Sequence, residues 1–521
     1  MAFVSNRDGH FNVYVTLVRG GSLVQITHDP NEELAPSWSP DGTDLTYARL
    51  NDWGHWAIWE VPALGGTPRR LVLNATDPTW SPDGHSLAYS NTSDGAIWIS
   101  SISGENAHEA VPPGPEMHNT QPRFSPDGRE IAFVDHSPGP YSRLEVANLA
   151  SGKVRPLRHN VRGAEEFSPS WSPDGKFIYF ASSRGGTINI WKIAATGGEP
   201  VQITVGEGDD TGLDVSKDGK EIVFGTLRQK MGISQLDLQA KPGDQSLKSL
   251  TTDPARNQLA PVYSPDGKHL AYFTKLKGLE HEEVWISDAN GSNAAPLVKD
   301  SRLNIFPLWT PDGKSIIYRS YSKEGFDDRR VLLAGGAPQT LPIKPNTPIV
   351  AVGRDGRLLL FGPKGKVEAF DLQTRKTQTL GTLPAGAGGV GLGLVRWSPD
   401  EHSVAYVLGP HKQDDPKAGL WVTDFKNPPR QVFRGWIINF TRGPGNEIYL
   451  LEGKPDLNGI LWKVNWNGQG LTRTRWTLPI APALDQGMIG SALDVSPYGR
   501  YIAFATNQVL EENIGMIENV R

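Results

Sequence analysis

Short segments of alternating apolar residues recur along the chain at a steady interval, among them Leu45-Thr-Tyr-Ala48, Ile131-Ala-Phe-Val134, Ile178-Tyr-Phe-Ala181 and Ile222-Val-Phe-Gly225. Alternation of this kind is the period of a half-buried strand rather than a helix. Each segment follows an aromatic residue or valine and the phrase Ser-Pro-Asp-Gly or a close variant. Near-intact copies run from Trp38 to Gly42, Trp80 to Gly84, Phe124 to Gly128, Trp171 to Gly175, Tyr263 to Gly267 and Trp309 to Gly313. Degraded copies begin at Val215, Val352, Trp397, Phe440 and Val495. Proline pre-sets φ at the second turn position, aspartate bonds its own downstream backbone, and glycine accepts positive φ, so the phrase closes one strand onto the next as a hairpin.

A third strand follows each hairpin, as in Ile58-Trp-Glu-Val61, Ile190-Trp-Lys-Ile193 and Leu461-Trp-Lys-Val464, and a fourth follows a Gly-rich turn, as in Gly197-Gly-Glu-Pro-Val-Gln-Ile203. Four short antiparallel strands every ~45 residues predict an all-β fold of tandem β-propellers, with about twelve four-stranded blades. Two six-bladed rings are the simplest partition, a first over 1–255 and a second over 256–521; seven blades plus five is the alternative. The first unit starts at its second strand, so its blade is expected to lack an innermost strand. Either the C-terminal segment completes that blade or residues are missing upstream of Met1, and the second is the expectation. The Gly-rich run from Gly381 to Gly393 has no G-K-[ST] after it and is read as a loop between strands.

Composition narrows the function. The 521 residues include 57 Gly, 41 Pro, 16 Trp and no cysteine, which fits a folded, turn-rich chain and excludes disulfides, thiolate nucleophiles and Cys-ligated metal. A net charge of −5 offers no basic footprint, so nucleic acid is not an expected partner. No apolar run is long enough to cross a membrane and no export signal opens the sequence.

Phe3-Val-Ser-Asn-Arg-Asp-Gly9 with Val13-Tyr14, and Phe180-Ala-Ser-Ser-Arg-Gly-Gly186 with Ile190-Trp191, join the W-S-P-D-G phrase in a pattern that resembles the TolB-like propeller repeats. The resemblance covers almost the whole chain. It implies a fold far more strongly than a role. Leu451 to Gly459, Leu461-Trp462 and the closing Met516-Ile-Glu-Asn-Val-Arg521 are similar to the extracytoplasmic propeller region of bacterial Ser/Thr kinases with TolB-like repeats. That resemblance implies a sensor or scaffold half in a periplasmic or extracytoplasmic location. Kinase motifs are absent from this chain.

Related propellers gate peptidases, yet Ser292 and Ser491 lack the G-x-S-x-G spacing of a nucleophile elbow. The histidines are singletons, and His85, His269 and His402 fall just after hairpin turns where side chains face solvent. Each turn aspartate offers one carboxylate, which suits turn capping better than calcium, so no cofactor is expected. The recurrent tryptophans suit packing between blades better than sugar stacking. One set stands out. Five residues before each hairpin-opening aromatic or valine lie Glu33, Asn119, Glu166, Asp210, Gln258 and Asn304, with only Ala75 breaking the pattern and Glu32, Glu165 and Asp209 adding charge. These six are expected to form a polar, negatively biased ring at a channel mouth, able to focus a cation, a basic segment or a peptide N-terminus. The alternative is that they are polar only because water fills the mouth. The chain is thus read as a non-catalytic binding, sensing or scaffold module with a protein or peptide partner. The alternative is a substrate-gating propeller of a peptidase or a saccharide-active enzyme.

Overall fold

The computed structural model describes all residues except 52–53, 114–117, 137–141, 158–163, 186, 207, 242–246, 252, 254–255, 277–281, 323–324, 388–393, 410–414, 455–457, 480–492 and 519–521, and gives no side chains at 227–230, 276, 458 and 507–512. Ser491, the end of the Gly-rich run, and parts of the two C-terminal phrases therefore lie outside the described residues. The chain divides into two compact units, one made of Met1–Gln229 with Val509–Arg521 and the other of Lys230–Gln508. Both are built mainly from small antiparallel sheets, and in the second unit a single parallel bridge, Glu282 to Leu303, joins two of them into a sheet of eight strands.

In the first unit the sheet of Glu33–Trp38, Asp44–Leu50, Trp56–Pro62 and Arg69–Leu73 sets the pattern. Equivalent four-stranded sheets begin at Ala75, Asn119 and Glu166, and the first strands of successive sheets lie side by side. The opening sheet has three strands, Ala2–Ser5, Asn12–Val15 and Val24–Gln25. The C-terminal strand Tyr501–Glu518 pairs with Glu221–Asp237 and not with Ala2–Ser5. In the second unit the sheets begin at Arg256, Leu303, Ile349, Val395 and Ile437.

Two long strands explain why the units do not divide at 255/256 as the repeat period suggests. Glu221–Asp237 and Tyr501–Glu518 each run on from one unit into the other. Within the first unit, the early part of Glu221–Asp237 pairs with Asp209–Val215, and Gly515 abuts the Phe224 ring. Within the second, Leu493–Val495 pairs with the early part of Tyr501–Glu518, while the late part of Glu221–Asp237 pairs with Leu247–Ser249. The last blade of the second unit is thus assembled from both ends of its chain segment.

The Ser-Pro-Asp-Gly phrase works as its chemistry predicts. Ser172 Oγ donates to Asp174 Oδ1 at 2.7 Å, the Lys176 amide donates to the same oxygen at 3.1 Å, and the Phe177 amide returns to Ser172 Oγ at 2.9 Å. These bonds hold the Asp174 carboxyl down at about 2. Gly175 turns the chain at φ +69°. Residues of the second and third strands then fill the space between sheets: Ile178, Ala181, Ile190 and Ile222 are sealed from water with Phe180 and Leu144 in one cluster. Each large aliphatic buried this way contributes about 1.5–3 kcal/mol relative to exposure. Trp171 and Trp309 pack in the cores and donate from Nε1 to the Arg123 and Val262 carbonyls of the neighbouring inner strands, both at 3.1 Å. Among the described residues, no helix is long and apolar enough to cross a membrane.

Candidate functional site

The six ring residues open the innermost strands, four in the first unit and two in the second. Their side chains do not face a water-filled mouth: Glu33 and Asn304 are fully buried, and Asn119, Glu166, Asp210 and Gln258 are at most 5% exposed. For Glu33 and Glu166 the start of the inner strand passes beside the preceding sheet, and the carboxylate meets that sheet's third strand.

Glu33 Oε2 accepts the Val13 amide at 3.2 Å and the Thr27 hydroxyl, while its Oε1 has no partner among the described residues. Burial, partly offset by the Thr27 bond, pushes its carboxyl up to about 8. At neutral pH Glu33 is therefore mostly uncharged and adds little to a negative field. Glu166 accepts the Leu144 amide at 2.9 Å and pairs with Arg184. Asp210 accepts the Thr226 hydroxyl at 2.7 Å, and Asn119 donates to the Pro112 carbonyl at 2.8 Å. In the second unit Asn304 donates to Asp300 at 2.7 Å, and Gln258 Oε1 has no partner among the described residues. The added acids behave alike: Glu32 accepts the Phe11 amide at 3.1 Å and Asp209 accepts the Ile188 amide at 3.4 Å. Glu33, Glu166, Glu32 and Asp209 thus latch one blade to the one before, whereas Asp210 is held within its own blade.

A repeated left-handed backbone position lies two residues further on. Ala35, Asp77, Gln121, Ser168, Ala260 and Phe306 all adopt φ between +50° and +55°, with Gly212 at +60° in the same position. Each marks a register shift in its inner strand, where the side chains on either side re-aim. In the first unit these bulges link blade to blade. Gln121 Oε1 accepts the Ser168 amide at 2.6 Å, Ser168 Oγ accepts the Gly212 amide at 3.2 Å, and Asp77 Oδ2 accepts the Gln121 amide at 3.4 Å. One step along, Ser170 Oγ donates to Asp214 at 3.1 Å. His136 Nε2 lies 2.8 Å from the Thr120 hydroxyl, and its burial lowers the ring's proton affinity. The signal for this belt stood in the sequence as the proline after each bulge: Pro36, Pro78, Pro122, Pro169, Pro261 and Pro307.

The remaining singled-out residues are structural in place. His85 and His402 are exposed, whereas His269 is half-buried and stacks on Trp309 with ring centroids 6.5 Å apart. Ser292 donates to Asp288 at 2.9 Å inside a tight turn. The third-strand tryptophans carry cations on their faces, Arg49 at 3.4 Å from the Trp59 ring and Arg256 at 4.9 Å from Trp285. Among the described residues, no group of three His, Asp or Glu side chains is placed to hold a metal ion.

Residues 75–257 match the family model of the TolB beta propeller domain. This region carries TolB-like β-propeller repeats. Among curated proteins, the chain is 28% identical over 162 residues to an uncharacterized protein of Agrobacterium fabrum, an alignment covering 29% of this chain and 53% of the relative. It is 26% identical over 160 residues to the Tol-Pal system protein TolB of Francisella tularensis, covering 30% of this chain and 35% of that protein. The chain thus spans about half of the first relative's length and about a third of the second's. Among solved structures, a putative TolB from Agrobacterium tumefaciens aligns with 53% of this chain and 84% of its own at 22% identity and a TM-score of 0.35. The tricorn protease aligns with 97% of this chain and 61% of its own at 12% identity and a TM-score of 0.34.

Proposed function

We propose that the chain is a non-catalytic binding module, the partner-binding part of a bacterial extracytoplasmic signalling system, and that it takes a protein or peptide at the mouth of the first unit's channel without a resident cofactor. The observation that carries this reading is the belt of bulges, which places Asp77, Gln121 and Ser168 half-exposed on consecutive blades in one hydrogen-bonded row. Such a row offers fixed polar groups to a docking chain at little cost in ordering, because the bulge geometry already holds them. The TolB-like repeats support a binding or scaffold role of this general kind. The net charge of −5 favours a protein partner over nucleic acid.

Site-specific photo-crosslinking tests the reading. A crosslinker placed at Gln121 or Ser168 is expected to capture a discrete partner in cells of the source bacterium, and one at Leu64, which is 99% exposed on an outer turn, is expected to capture none. Crosslinks from outer positions alone would show that the channel mouth is not the contact surface.

A further inference from the structure

The opening sheet of the first unit has an unpaired edge on its channel side. The Met1 nitrogen donates to the Thr16 carbonyl at 2.7 Å and the Thr16 amide returns to the Met1 carbonyl at 3.1 Å, so these two residues form a bonded pair. Bonded and non-bonded pairs alternate along an antiparallel ladder. Ala2 stands opposite Val15 and Val4 opposite Val13, at the non-bonded positions. The amide and carbonyl of Ala2 and of Val4 therefore point away from Asn12–Val15, to the side where no described strand pairs with Ala2–Ser5.

Three further observations mark the same gap. Phe3 and Val4 hold the register of Tyr47 and Ala48 and of Phe180 and Ala181. Those four are at most 1% exposed beneath an inner strand, whereas Phe3 and Val4 are only half-buried. A β-carbon added at Gly84, Gly128, Gly175 or Gly219 would meet the proline ring of the preceding sheet's turn at 3.3–3.9 Å, yet one added at Gly42 meets nothing within 4 Å among the described residues. The Trp38 indole, whose counterpart Trp171 donates to the inner strand of the sheet before, has no hydrogen bond among the described residues. Across the gap the Lys217 ammonium donates to the Pro40 carbonyl, an exposed bridge one side chain long that a strand can displace. The strands that fill the equivalent place in the next four sheets show what fits. Glu33–Trp38, Ala75–Trp80, Asn119–Phe124 and Glu166–Trp171 all carry proline at the fourth position and an aromatic residue at the sixth. The proline falls within the bulge, where it removes no ladder bond, and the ring packs between sheets. An extended chain added to such an edge takes affinity from main-chain hydrogen bonds and selectivity from the side-chain pockets.

We propose that the channel-side edge of Ala2–Ser5 is a strand-acceptor site, which takes from a partner protein one extended segment with proline two residues before an aromatic residue. The site rests on the open edge and not on the belt of bulges, and it stands whether or not that belt binds a partner. A fluorescein-labelled peptide of residues 165–175, titrated with the full chain and followed by anisotropy, tests it. Saturable binding is expected, at least tenfold weaker when the peptide carries Trp171→Ala. In the full chain, Val4→Pro removes an amide that faces the open edge and spares the bonds to Asn12–Val15, so it is expected to weaken binding at least tenfold, whereas Leu64→Ala on an outer turn leaves it unchanged. Should Val4→Pro also lower the Tm, a peptide with a benzophenone side chain in place of Trp171 decides the matter on the unaltered chain. Crosslinks to residues 1–5 or 33–42 support the site, and crosslinks elsewhere alone overturn it. No saturable binding, or equal affinity in the Val4→Pro and Leu64→Ala proteins, would overturn it as well. A dimer in sedimentation that the peptide dissociates would assign the edge to a second copy of this chain and overturn the partner assignment.

Discussion

Glu33 shows how much a single side chain depends on its enclosure. The sequence marks it as acidic and at a strand entry, and both are so, but its carboxyl is sealed against Val13 and Thr27 and titrates near 8. The sign of the effect on stability follows. Because the folded-state value lies above the ordinary carboxyl value, the contribution is fully present below the ordinary carboxyl range, declines as pH rises, and is lost above about 8. The folding equilibrium of the first unit is expected to weaken by up to about tenfold per pH unit between pH 5 and 8. Glu33→Gln should flatten that slope in urea unfolding curves taken across the same range. Asp494, which burial pushes up to about 6, acts with the same sign in the second unit over the window that ends near pH 6. The six ring positions were legible as polar and periodic. Their burial was not, because periodicity along one strand says nothing about which neighbouring strand the entry loop passes.

At the scale of the strand, two repeated devices hold the blades. The first is a threonine after the fourth strand: Thr27, Thr204 and Thr251 accept the amides of Val13, Ile190 and Ile233, each at 2.8 Å. Thr204→Val keeps the shape but leaves the Ile190 amide without its acceptor. A loss of about 1–3 kcal/mol is expected, with faster hydrogen exchange at that amide. The second device is the left-handed bulge. Ala260 sits at φ +50°, a conformation that costs an L-residue roughly 1–2 kcal/mol. Ala260→Gly is therefore expected to be neutral or slightly stabilising, while Ala271→Gly, in the regular second strand two residues along the paired register, is expected to destabilise. Equal losses at the two sites, measured by thermal unfolding, would count against strain at the bulge. The hairpins were plain in the sequence because Ser-Pro-Asp-Gly is local chemistry. The bulges were signalled by their prolines, and the threonine caps join residues 14 to 18 positions apart, beyond the reach of turn rules.

At the scale of the molecule, the four-strand period announced a tandem array, and the division into units followed from something the period does not encode. Strands Glu221–Asp237 and Tyr501–Glu518 each serve both units, so a cut at any one point in the sequence separates partners. A fragment of residues 230–508 retains every strand of its own closing sheet and is expected to fold alone with a cooperative melt. A fragment of residues 1–229 lacks the strand that lies against Phe224 and is expected to melt lower, with recovery when a peptide of residues 509–521 is added. Circular dichroism of the two fragments checks both outcomes; a non-cooperative 230–508 fragment would show that its blades depend on more than the described sheet.

The same shared sheet fixes an order of events during synthesis. In the language of genes, the second unit is an insertion within the last blade of the first. Translation at about 5–20 residues per second leaves tens of seconds between the emergence of residue 229 and that of residue 509. For that interval the earlier-made ring stays open at its last blade while the later-made one acquires all its strands. The half encoded first is thus the half finished last, and a released chain ending at residue 508 should expose the early part of Glu221–Asp237 to proteolysis while its second half is already protected.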